Sequence, residues 1–132
     1  MPGSSVRPSG RPPRDVTALA GLLAVAGVAH FVAPKPFESI VPRALPARRA
    51  LVHASGVAEL ACAAGLVAPR TRRAAGYATA ALMVAVFPAN VQMTVTALRS
   101  PRASTGYRAA TIARLPLQWP LVRTAWKAAR SG

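Results

Sequence analysis

The chain has 132 residues, of which 17 are lysine or arginine and three are aspartate or glutamate, so its formal net charge is +14. A basic charge of this size first suggests nucleic-acid binding, but the cations lie between apolar runs, and two Trp, two Tyr and three Phe provide little stacking surface. With 52% hydrophobic residues, the composition argues against a nucleic-acid partner and predicts a protein whose partner is the lipid bilayer.

Cys62 is the single cysteine of the chain. It rules out an internal disulfide and a Cys-x-x-Cys dithiol, so this chain contributes no thiol pair of its own to redox chemistry. Cys62 is predicted to pack as a small apolar residue inside a helix.

The first half of the chain contains a polar tail, two apolar runs and a proline-rich loop. Residues 1–14 are rich in Pro, Gly and Ser and are predicted to form a disordered basic tail. The run 16–33 is long enough for a first membrane-spanning helix. The loop 34–50 contains four prolines, which exclude a continuous helix, and Phe37, Ile40 and Val41 are predicted to form a short amphipathic turn at the membrane surface. The run 51–68 extends over about 27 Å as a helix, close to the thickness of a bilayer core.

Two further apolar runs follow a five-residue connection that requires antiparallel neighbours. The run 74–98 contains Pro88, which is predicted to kink the helix. The run 109–126 contains Arg114, Arg123 and two prolines, so it is either a tilted span or an interfacial helix, and a span is favoured. The sequence thus predicts an all-α, integral membrane four-helix bundle over residues 15–127, with residues 128–132 as a C-terminal tail.

The distribution of arginine favours one orientation in the membrane. Four spans place both termini on the same side, and Arg70, Arg72 and Arg73 in the short second loop favour the cytoplasm for that side. Arginine far outnumbers lysine and alanine is abundant, which is typical of a high-GC bacterium. The predicted location is the bacterial cytoplasmic membrane.

A layer of polar side chains lies within one half of the predicted bundle, as counting 1.5 Å per residue along each run shows. Glu59 is the only acid inside a span and lies near mid-membrane, where a carboxyl group indicates a functional site. Arg114 has a matching depth and is its predicted partner. The layer consists of His30, Glu59, Asn90, Gln92, Arg114 and Gln118.

Two interpretations of this layer remain open. The polar side chains either hold the helices together through interhelical hydrogen bonds, or line a pocket open to water or a ligand. A metal site is not predicted, because His30, His53 and Glu59 lack the close spacing of metal ligands.

Several motifs in order resemble the DoxX-like family of small four-helix bacterial membrane proteins. They are GVAHFVAPKPFESIVPRALP, SGVAEL, GLVAPRTRRAAG, FPANVQM and RLPLQW, and the resemblance covers the chain from about Gly27 to Trp126. The positions that match the family are His30, Pro34, Phe37, Pro42, Glu59, Pro88, Asn90, Arg114, Pro116 and Gln118. Among these positions, Pro34, Pro88 and Pro116 are predicted to shape the helices, because proline interrupts or kinks them.

The resemblance implies a role in redox chemistry at the membrane. The family takes its name from a likeness to a subunit of a thiosulfate:quinone oxidoreductase, and some relatives are linked to oxidative-stress complexes. The expectation is therefore an accessory subunit with a quinone-type site and a redox partner protein. No autonomous catalytic motif is present. The alternative is a structural membrane protein or a small transporter. At this length, a transporter would have to form a homo-oligomer.

Overall fold

A computed structural model describes residues 10–41 and 44–131. Over these residues the protein is all-helical, with no strand, which confirms the predicted all-α class. The five helices are α1 (Arg14–Val32), α2 (Pro34–Ile40), α3 (Arg48–Val67), α4 (Arg72–Arg99) and α5 (Thr105–Ser131). Most of the predicted N-terminal tail, residues 1–9, and Pro42 lie outside the described residues.

Three of the helices, α1, α3 and α4, are long and apolar enough to cross a membrane. They contain the first three apolar runs of the sequence. In the described part of the chain α5 is not among the candidate spans, because arginine and lysine recur along it and lower its hydropathy. Three candidate spans indicate a membrane protein, and the fourth span remains a prediction.

The prolines act in two ways. Pro34 occupies the first turn of α2, where the missing N–H would have no helical partner, so the loop predicted as a turn contains a short helix instead. Pro88 lies inside α4, and Pro116 and Pro120 lie inside α5, and both helices continue through them. Helix α5 also continues to Ser131, through most of the segment predicted as a C-terminal tail.

The long helices form two close pairs, α1 with α3 and α4 with α5, and α3 also packs on α4. Val16, Leu19, Leu23 and Leu66 are almost completely buried between them. At this end of the bundle Asp15 of α1 forms an ion pair with Lys127 of α5. The start of α1 and the end of α5 therefore lie at the same end of the bundle.

Glycine allows the backbones of α1 and α3 to approach closely. A Cβ atom on Gly27 would lie 2.8 Å from Leu60 Cγ and 3.0 Å from the carbonyl oxygen of Gly56. A Cβ on Gly56 would lie 2.8 Å from Phe31 Cε2 and 2.9 Å from the Cβ of His30. Real Cβ contacts are not this short, so the two helices cross at Gly27 and Gly56.

Helix α4 uses a glycine in the same way against α5. A Cβ on Gly76 would lie 2.5 Å from the backbone nitrogen of Ala129 and 2.8 Å from the carbonyl oxygen of Ala125. Small residues thus set the spacing within both pairs of long helices, which is the usual device of helix packing in membranes.

Candidate functional site

A cavity of about 390 Å³ lies under α2 and between the long helices. Its size falls within the range of roughly 300–1,000 Å³ that is common for small-molecule sites. Most of its wall is apolar, with a few polar side chains on one side. The lining residues are His30, Phe37, Ile40, Val41, Leu45, Leu51, Val52, Ser55, Glu59, Leu82, Ala85, Val86, Pro88, Ala89, Asn90 and Arg114.

The Glu59 carboxyl group is the buried acid of this cavity, with its side chain only 10% exposed. Its Oε2 atom lies 3.1 Å from Nδ1 of His30. That nitrogen, however, donates its hydrogen bond to the backbone carbonyl of Ala26, at 2.6 Å. Within the described part of the chain, Glu59 Oε2 is a buried polar atom with no hydrogen-bond partner.

The glycine crossing explains why His30 and Glu59 meet. His30 lies three residues after Gly27 on α1, and Glu59 lies three residues after Gly56 on α3, so each is one helical turn from the closest approach of the backbones. Both residues belong to the polar layer predicted from the sequence, but depth along the chain did not predict that they are neighbours.

Helix α2 covers the cavity and contacts α1, α3 and α4. The Phe37 ring stacks on the His30 imidazole, with ring centroids 3.9 Å apart. At the outer surface Arg49 Nε donates a hydrogen bond of 2.7 Å to Glu38 Oε1, which joins α2 to the start of α3. Phe37, Ile40 and Val41, which were predicted to form a turn at the membrane surface, therefore line the cavity.

The predicted ion pair between Glu59 and Arg114 is wrong. Arg114 lines the same cavity, but among the described residues it forms no ion pair with Glu59, whose nearest basic atom belongs to His30. The reason is the pairing of the helices: Glu59 is on the α1-facing side of α3, whereas α5, which carries Arg114, packs mainly on α4. Both charged residues face the cavity without being in direct contact.

A second set of polar residues joins α4 to α5. The Asn90 amide donates to Gln118 Oε1 at 3.1 Å, and Gln118 in turn donates to the backbone carbonyl of Met83. Pro88 has no N–H, so the Val84 carbonyl lacks its helical donor one residue after Met83. Asn90 and Gln118 are both buried, and their hydrogen bonds are of the kind that hold membrane helices together.

Gln92 does not belong to the buried layer. Its side chain is exposed, and its amide donates to Thr96 Oγ1 on the same helix at 3.2 Å. Residues two positions apart on a helix point in different directions, so Asn90 and Gln92 cannot both face α5. This correction was available from the sequence.

Two threonines of the α4–α5 interface were missed by the sequence analysis. Thr94 and Thr111 are buried, and the Thr94 hydroxyl contacts the backbone carbonyl of Thr111 at 3.1 Å. Thr94 could have been identified from the sequence, because it lies four residues after Asn90 and thus on the same face of α4.

A larger groove of about 550 Å³ lies between α3 and α4 near their connection. Alanine, glycine, Cys62 and Thr71 line it, and none of its lining residues is charged. Such a surface suits packing against apolar chains, whereas recognition of a ligand requires placed polar groups. The smaller cavity with Glu59 is therefore the candidate site.

Comparison with known proteins identifies a family and no function. The model of a family described as a domain of unknown function, DUF8561, matches residues 19–129. No curated protein matches the chain significantly. No solved structure matches it significantly either.

Proposed function

This chain belongs to the DUF8561 family, and we propose that it is a DoxX-like integral membrane protein whose cavity holds a small amphipathic ligand of the quinone type. In this proposal the protein is an accessory subunit of a redox system in the bacterial cytoplasmic membrane. A redox partner protein supplies or removes the electrons, since this chain has no dithiol of its own.

One observation carries the proposal, namely that Glu59 Oε2 is buried and has no hydrogen-bond partner beside a cavity. A buried carboxyl oxygen without a partner is costly, and natural proteins retain such groups mainly where they have a use. A ligand bound in the cavity would provide the missing partner.

The shape and lining of the cavity support an amphipathic ligand. Polar side chains of α1, α3 and α5 offer contacts to a polar head, and the apolar side chains of Ile40, Val52, Leu82 and Val86 offer contacts to a ring or tail. A quinone head group has this combination of a flat apolar ring and polar oxygens. The residues that would hold it are His30, Glu59, Asn90 and Arg114.

The test is mass spectrometry of the lipids and small molecules that co-purify with the detergent-solubilised protein. We expect a quinone in the wild type and its loss in Glu59→Gln and Arg114→Leu variants that still fold. Asp15→Asn is the matched control, because it also converts an acid to its amide but lies at the other end of the bundle. A wild-type protein that carries no small molecule even when expressed in quinone-rich membranes would contradict the proposal.

A second candidate function is purely structural, and the hydrogen bonds of Asn90 and Gln118 favour it. In that case the buried polar side chains serve only to pack the helices, with Asn90 and Gln118 holding α4 and α5 together. The two candidates differ in what a substitution of Glu59 does. If Glu59→Gln stabilises the bundle and no ligand is found, the buried acid is a feature of packing.

A further inference from the structure

We infer that the ligand of this cavity is recognised through a neutral phenolic hydroxyl group that donates a hydrogen bond to Glu59 Oε2. This inference rests on the proposed ligand-binding function and specifies the chemistry of the ligand head. It follows from three properties of the cavity, which are its fixed charge, the commitment of its donors and the rings in its wall.

The first step concerns charge. Arg114 lines the cavity, and its guanidinium group is positively charged at any physiological pH. Among the described lining residues Glu59 is the only acid, so its charge balances that of Arg114 when Glu59 is ionised. An ionised carboxylate only accepts hydrogen bonds. The group that completes Glu59 must therefore be a donor.

The second step concerns the donors already present. The nearest donor, Nδ1 of His30, gives its proton to the Ala26 carbonyl. The Asn90 amide donates to Gln118. Ser55 and Arg114 also line the cavity but do not bond to Oε2, which therefore has no hydrogen-bond partner in the described chain. The missing donor belongs to the ligand.

The third step excludes other head groups. The charges of Arg114 and Glu59 already balance, so an ammonium, carboxylate or phosphate head group would leave a net charge in this small, mostly apolar cavity, which is costly. A ketone or ether oxygen has no proton to offer Glu59, so of the two redox forms of a quinone-type ligand the one recognised is the reduced hydroquinone, which carries phenolic hydroxyl groups. A hydroxyl group donates to Glu59 and can still accept from Arg114.

The aromatic wall favours a hydroxyl on a ring. The rings of His30 and Phe37 are stacked with an interplanar angle of 19°, and both residues line the cavity. A third flat ring can continue this arrangement or meet it edge to face. A phenol with an apolar tail combines the donor, the ring and the chain that the lining accommodates.

The experiment compares two probes that differ only in the donor, 4-decylphenol and its methyl ether. Their binding to the full chain in nanodiscs is measured by equilibrium dialysis, with empty nanodiscs subtracted for partitioning into lipid. We expect the phenol to bind at least about tenfold more tightly, the factor typical of one hydrogen bond to a charged group. In Glu59→Gln, whose amide can donate to the ether oxygen, we expect this preference to disappear. Asp15→Asn should retain it.

A further variant keeps the test decisive if Glu59→Gln does not fold. Ala85 lines the cavity but is exposed, so Ala85→Phe should fill the cavity without disturbing the core and abolish binding of both probes. Equal binding of phenol and ether to the wild type, with loss of both in Ala85→Phe, overturns the inference while the ligand site stands. Absence of binding of either probe overturns the inference and counts against the ligand site itself.

Discussion

Nδ1 of His30 lies 3.1 Å from Glu59 Oε2 across the α1–α3 interface, yet it donates its hydrogen bond within its own helix, to the carbonyl of Ala26. The two residues are neighbours in space and do not satisfy each other. A histidine that bonded to Glu59 would have closed the site, because the carboxylate would then need no ligand. Because its proton is bonded to Ala26, the imidazole forms one wall of the cavity and leaves Glu59 Oε2 beside it as an acceptor without a donor.

The glycine crossing yields the first prediction. In Gly56→Ala the new methyl group would lie 2.8 Å from Phe31 and 3.1 Å from the Gly27 carbonyl oxygen, so α1 and α3 must separate. We expect a loss of about 1–3 kcal/mol of stability, as for other overpacked interfaces. Thermal unfolding in detergent, followed by tryptophan fluorescence, measures it.

Gly21→Ala is the control for this substitution, because a Cβ on Gly21 has no atom within 4 Å. It should leave stability unchanged or raise it by roughly 0.5–1 kcal/mol, since alanine favours the helix. Equal effects of the two substitutions would show that α1 and α3 do not cross at Gly56.

Gln118 is predicted to hold α4 and α5 together. Gln118→Leu removes the hydrogen bonds to Asn90 and to the Met83 carbonyl and leaves the buried Asn90 amide without its partner. We expect a loss of about 1–2 kcal/mol, the range for hydrogen bonds between membrane helices. Gln92→Leu, on the exposed face of α4, should have little effect on the same unfolding curve. A Gln118→Leu protein as stable as the wild type would show that Gln118 does not hold α4 and α5 together.

Arg72 is predicted to stabilise the end of α3. Although basic, it is buried, and its guanidinium group donates to the carbonyls of Leu66 at 2.8 Å, Val67 at 3.3 Å and Gly10 at 3.0 Å. The carbonyls of Leu66 and Val67 lie in the last turn of α3, where they have no helical partners. Arg72→Gln should lower stability by about 1.5–3 kcal/mol, whereas its exposed neighbour Arg73 should tolerate the same change. The two variants are compared by chemical denaturation in one detergent.

The fourth membrane crossing is tested by labelling single cysteines from one side of a vesicle. In a Cys62→Ala background, cysteines replace Arg11, Ser104 and Ser131, which lie before α1, before α5 and at the end of α5. If α5 crosses the membrane, a maleimide that cannot cross it should react with positions 11 and 131 from the same side and with position 104 from the other. Reaction of positions 104 and 131 from the same side would make α5 an interfacial helix.

The spans were predictable because their signal is local. Apolar runs 16–33, 51–68 and 74–98 lie within α1, α3 and α4 to within three residues at each end, since hydropathy depends only on neighbouring residues. The extent of α5 was not predictable in this way. Its prolines and arginines obscured a helix that is stabilised by packing along α4.

The site was predictable in composition but not in pairing. Depth along each run placed His30, Glu59, Asn90 and Arg114 in one layer, and all four line the cavity. Which of them face each other depends on the rotation of each helix about its axis and on which helices are adjacent. The depth of a residue along its run gives neither the rotation of its helix nor the identity of the adjacent helix. Arg114 was therefore predicted as the partner of Glu59, whereas in the structure the neighbour of Glu59 is His30.

The positions of Gly27 and Gly56 have a consequence for how the sequence can change. Each glycine is one turn from a residue of the cavity, so an enlarged side chain at either position displaces His30 and Glu59 together. A single substitution at one of these four positions thus alters both the contact between the helices and the chemistry of the cavity. We expect these four positions to diverge as a group, and a variant library in which they are randomised together should contain functional combinations that no path of single changes reaches.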